Sequence, residues 1–145
     1  MRSQLFTTEK YSFVEKNVIE LINSTQDIVN ARSLGSPRAV GDAIQELLET
    51  KFPELLPADI LKNYSSAFAR RSMADFAFED VDSFYYVVDN KTHNLGTDFN
   101  MPNLTSVERL SRFYEDDNNY FTLLTVAYAV VDDSIEARSC HFIPI

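Results

Sequence analysis

Between residues 8 and 31 the chain carries apolar residues at Phe13, Val14, Val18, Leu21, Ile22 and Ile28, among others. They recur every three to four residues, so they share one side of a helix and predict a long amphipathic N-terminal helix. "RSLGSPR" then breaks the pattern with Gly35 and Pro37. A second stripe, Val40, Ile44, Leu47 and Leu48, predicts a helix over residues 38–51 that stops before Pro53, because a residue preceding proline is driven out of helical geometry. Asp42, Gln45, Glu46 and Glu49 fall on its other faces. A short turn near Asp59 leads into an extended segment. Beyond it, "ADFAFED" and "SFYYVVDNK" are rich in aromatic and β-branched residues and read as strands. "THNLGTDFNMPN" reads as a polar loop. Thr105 and Glu108 have the spacing of a capping box in front of the helix "SVERLSRFYEDD". The chain closes with two strands, "YFTLLTVAYAVV" and "IEARSCHFIPI", around Asp132-Asp133-Ser134.

The order helix, helix, strands, helix, strands implies an α/β (α+β) fold, with a mixed or largely antiparallel sheet covered by helices. No repeat or linker divides residues 1–145, so a single domain is expected. "CHFIPI" reads as an unfinished strand, and the domain is expected to be C-terminally truncated.

Charge narrows the function. A net charge of −9 has the wrong sign for a domain that holds nucleic acid by bulk electrostatics. A nucleic-acid reading therefore needs a local basic face or a missing part of the chain. The single cysteine, Cys140, rules out an intramolecular disulfide and fits a reducing compartment. No signal-type leader and no membrane-length apolar run are present, so a cytoplasmic protein with no membrane partner is expected. Cys140 and His141 are adjacent on a strand and point to opposite faces, which makes them structural rather than a nucleophile pair.

The most specific chemistry lies in "MADFAFEDVDSFYYVVDNKTHN". If its two strands form a hairpin centred on Asp82, Asp75 stands opposite Asp89, and Lys91 projects from the same face. Directly opposed carboxylates repel each other. A divalent cation removes that penalty, and hard oxygen ligands suit Mg²⁺. Such an ion polarises a phosphoryl oxygen and lowers the pKa of a bound water, while a neighbouring ammonium stabilises developing charge. The arrangement fits metal-assisted hydrolysis of a phosphodiester. The competing reading is a solvated carboxylate pair on an exposed sheet face.

Asp75, a spacer of thirteen residues, then Asp89-Asn90-Lys91 resembles the signature of the PD-(D/E)xK nuclease superfamily. "FYYVVDNKTHN", followed by "FNMPN" and a helix, is similar to the region after the catalytic lysine in type II restriction endonucleases, and "AVGDAIQELL" is similar to the helix before their catalytic hairpin. The likeness spans residues 38–131. It implies a restriction-endonuclease-like αβββαβ core, here with an extra N-terminal helix. It also implies Mg²⁺-dependent attack of water on double-stranded DNA, often by a homodimer. Asp75 and Asp89 would ligate metal, and Lys91 would serve as the catalytic amine. Ala74 replaces the usual proline. Many members carry a helix glutamate four residues after a glycine; here that position is Gln45, with Glu46 beside it, and either fills the role.

Weaker candidates surround this core. Arg70 and Arg71 precede the first site strand and either meet a DNA backbone or form a solvated strand end. Arg109 and Arg112 share a helix face and either contact DNA or pair with Glu108, Glu115 or Asp116. His93 and Asn94 follow the lysine closely enough to lie near a scissile phosphate. Asn94, Asn100 and Asn103 belong to a loop whose carboxamides either read base edges or shape turns.

Overall fold

The computed structural model describes residues 2–25, 27–30, 32–65, 74–97 and 107–145. Among the described residues four helices, α1 (Gln4–Thr7), α2 (Lys10–Ser24), α3 (Pro37–Leu55) and α4 (Val107–Phe113), accompany five strands. The strands are β1 (Leu61–Ser65), β2 (Phe76–Asp80), β3 (Tyr85–Asn94), β4 (Asn119–Val131) and β5 (Ser134–Pro144), and they lie in sequence order across one mixed sheet. Only β3 and β4 are parallel; the other neighbouring pairs are antiparallel. The chain is thus α+β, with helices packed on a mixed sheet as the pattern of elements predicts.

Alternation along the strands divides the sheet into two faces. Phe76, Phe78, Tyr86, Val88, Leu124, Val126, Cys140 and Phe142 point to the main core, where Val14, Val18 and Ile22 of α2 meet Val40, Ile44, Leu48 and Phe52 of α3. The opposite face is covered at one end, where Leu110, Phe113 and Tyr114 pack over Ala77, Val87 and Phe121.

Three boundaries depart from the sequence pattern, each for a local reason. The N-terminal helix ends at Ser24 rather than continuing to residue 31, and Thr25 turns extended. The Ser24 and Thr25 hydroxyls both donate to the Leu21 carbonyl there. The second helix does not stop before Pro53 but runs through it to Leu55. Proline offers no N–H to the carbonyl four residues back, which is that of Glu49. The Tyr64 hydroxyl of β1 donates to this carbonyl instead. Finally, Thr92–Asn94 belong to β3 and not to a loop, because they pair with Val126–Tyr128 of the parallel strand β4.

Two turns match expectation. Asp132 and Asp133 both adopt positive φ (49° and 60°) and form a tight two-residue hairpin between β4 and β5. In the β2–β3 turn, fully buried Asp80 accepts from the backbone N–H groups of Asp82 and Phe84 and from the Tyr86 hydroxyl. Ser83 completes the turn at φ 67°. This turn is what sets the hairpin register.

Candidate active site

With the turn fixed, β2 and β3 pair Phe76 with Val88, Ala77 with Val87 and Phe78 with Tyr86. One step further along, the Asp75 N–H donates to the Val88 carbonyl at 2.9 Å. The Asp75 and Asp89 side chains come into hydrogen-bond contact. Asp75 Oδ2 also accepts the Asn90 backbone N–H at 2.7 Å. Lys91 Nζ lies 3.5 Å from Asp89 Oδ1. Asp75, Asp89 and Lys91 therefore form one contiguous cluster.

The surroundings oppose charge on the pair. Burial, followed by the field of Asp75, pushes the Asp89 carboxyl up to about 6, although the Lys91 ammonium pulls the other way. Burial likewise raises Asp75, with the Asn90 N–H and Lys91 acting against it and Glu49 adding to it. Two largely buried carboxyls in contact, with one ammonium beside them, present more negative charge than their surroundings favour. A hard divalent cation would relieve that mismatch. Among the described residues no third His, Cys, Asp or Glu closes with the pair into a metal-binding cluster. Mg²⁺ is ordinarily held by one or two carboxylates and completes its shell with water and substrate phosphate.

The helix side of the site is set by how α3 crosses β3. A Cβ on Gly41 would lie only 2.9 Å from Thr92 Oγ1, so the glycine allows the helix to touch the strand. At the other end Phe52 packs on Phe76, ring centroids 4.6 Å apart. The two elements therefore run antiparallel. Four helical residues rise about 6 Å and two strand residues about 6.6 Å. Gln45 consequently falls level with Asn90, and Glu49 level with Val88, beside Asp75. This is why Glu49 raises Asp75. Glu49 is the functional candidate that sequence reasoning missed, although its i+8 spacing from Gly41 was visible. Glu46 is exposed and lines a shallow cleft with Thr25, Ile28, Ala43, Leu47 and Thr50, away from the pair. The Asn90 side-chain Oδ1 is buried, without a hydrogen-bond partner among the described residues.

His93 continues the Asp89–Lys91 row along β3, half-buried. Asn94 faces the other way, and its Oδ1 accepts the Gly96 N–H at 2.8 Å in a tight turn. Arg112 pairs with Glu108 at 2.6 Å. Cys140 is buried, its thiol pushed up to about 12 by burial, and its neighbour His141 is exposed on the other face. Arg70, Arg71, Asn100, Asn103 and Thr105 lie outside the described residues.

No protein-family model and no curated protein matches the chain. Among the described residues no helix is long and apolar enough to cross a membrane.

Proposed function

We propose that the chain is a Mg²⁺-dependent endonuclease of the type II restriction kind, hydrolysing phosphodiester bonds in double-stranded DNA. The observation that carries this reading is the contact of the Asp75 and Asp89 carboxyls across β2 and β3, with Lys91 Nζ 3.5 Å from Asp89 on the same face. Support also comes from the described elements α3, β1, β2, β3, α4 and β4, whose order is compatible with the αβββαβ sequence that the resemblance implies.

Asp75 and Asp89 would hold the ion, which when bound supplies Lewis acidity at a phosphoryl oxygen and a more acidic water. The Asn90 N–H fixes one Asp75 oxygen, so that carboxylate is presented in a single orientation. Lys91, which pairs with Asp89, would place an ammonium where negative charge develops on the phosphoryl group and where an attacking water can be oriented. Glu49 on α3 adds a negative field at Asp75. The reading includes action as a homodimer on duplex DNA.

Incubation with plasmid and Mg²⁺ tests this. Nicking or linearisation is expected, with a loss of at least about a hundredfold in Asp89→Ala and Lys91→Ala. Cleavage that is absent from the parent, or indifferent to both substitutions, removes the assignment.

A further inference from the structure

The face that carries the carboxyl pair continues beyond Lys91 across two more strands. Thr125 lies beside Lys91 in the parallel β3–β4 ladder, and His141 lies directly opposite Thr125 in the antiparallel β4–β5 ladder. Ala127 and Ser139 form the next row, beside His93. All project away from the main core, because the residues alternating with them, Leu124, Val126, Cys140 and Phe142, are the ones buried in it. His141 is exposed and makes no hydrogen bond or ion pair among the described residues. Along β3, β4 and β5 up to the irregularity next to Ala127, Asp89 is the only acidic side chain described on this face. Both histidines of the chain lie on it.

We propose that Lys91, Thr125 and His141 form a phosphate-receiving strip, along which a DNA strand runs across the sheet from the carboxyl pair toward β5. Neighbouring strands are about 4.8 Å apart, so the strip reaches about 10 Å from the site lysine. That equals about three base-pair rises of 3.4 Å along a duplex axis. Thr125 Oγ1 and the His141 imidazole N–H are donors suited to non-bridging phosphate oxygens. The strip supplies the local complement to a polyanion that the bulk charge of the chain denies. It rests on the nuclease reading for its substrate, but not for its geometry.

The test measures binding of a short fluorescein-labelled DNA duplex by anisotropy in Ca²⁺, alongside plasmid cleavage in Mg²⁺. His141→Glu and Thr125→Glu are expected to weaken binding about tenfold each, since each sets a carboxylate against phosphate. His141→Lys is expected to tighten binding and to steepen the slope of log K on log salt by about 0.9. Thermal unfolding of each variant separates loss of fold from loss of contact, and the lysine variant answers even if both glutamates unfold. A parent that binds and cleaves, with all three variants unchanged in affinity, overturns the strip and leaves the nuclease reading standing. Binding that follows the variants without any cleavage keeps the strip and overturns the nuclease reading. A parent that does not bind duplex overturns both.

Discussion

Asp89 is the carboxyl of the candidate site that most clearly resists its ordinary charge. Its carboxyl is raised from 3.8 to about 6, first by burial and then by Asp75. A group that holds its proton more tightly when folded stabilises the fold fully below its unfolded pKa. It loses that contribution as pH rises through the folded value. The window here is thus about pH 4 to 6, and Asp75 shifts in the same direction. Asp89→Asn keeps the shape without the charge. Its melting temperature should match the parent near pH 3.5 and exceed it by several degrees at pH 7. A difference that stays flat between those pH values would show that Asp89 is not held in a charge-averse environment. Added Mg²⁺ should raise the parent at pH 7 and leave Asp89→Asn nearly unmoved. The opposition of Asp75 and Asp89 was legible in the sequence, because it needs only a two-residue period and a turn centre. Glu49 was not, because its place beside Asp75 depends on the line along which α3 crosses β3, which Gly41 and Phe52 decide from opposite ends of the helix.

The same limit appears in whole elements. Local rules end α3 before Pro53, and they would be right if nothing else could satisfy the Glu49 carbonyl. Tyr64, fifteen residues away in sequence, does so with its hydroxyl, and β1 is thereby tied to the last turn of the helix. Burial raises this phenol well above its usual range, with Glu49 adding to the effect, so the bond is made by the neutral hydroxyl. Tyr64→Phe should cost about 1–2 kcal/mol, since it strands a half-buried carbonyl. In a Pro53→Ala background an alanine N–H becomes available to the same carbonyl, and the cost of Tyr64→Phe should fall by about half or more. Equal losses in both backgrounds, measured by urea unfolding, would mean that Tyr64 does not act through Glu49. The strand β3 tells a parallel story. Its polar end, Thr92 to Asn94, has the composition of a loop and becomes strand only because β4 arrives alongside it.

At the scale of the whole molecule, the sheet has to finish somewhere, and β5 is a long edge of eleven residues. Exposed edges invite pairing with another chain unless something occupies their free N–H and C=O groups. Helix α2 does this with side chains. Asn23 accepts the Ala137 N–H at 2.7 Å and donates to the Ala137 carbonyl at 3.2 Å, so its carboxamide mimics a strand residue. About two turns of helix earlier, Glu15 accepts the Phe142 N–H at 2.8 Å. These contacts join residues more than a hundred positions apart, and they explain why α2 carries Asn and Glu on the flank of an otherwise apolar stripe. If the protein forms a homodimer, it does so without extending the sheet through β5. Replacing both Glu15 and Asn23 with alanine should uncover the edge, lowering stability by about 2–4 kcal/mol and producing larger species in light scattering at protein concentrations where the parent does not change. The net charge of −9 repels such assemblies at low ionic strength, so their appearance should be promoted by salt. A double variant that loses stability but keeps the parent's size distribution at every salt concentration would show that α2 stabilises the sheet without guarding its edge.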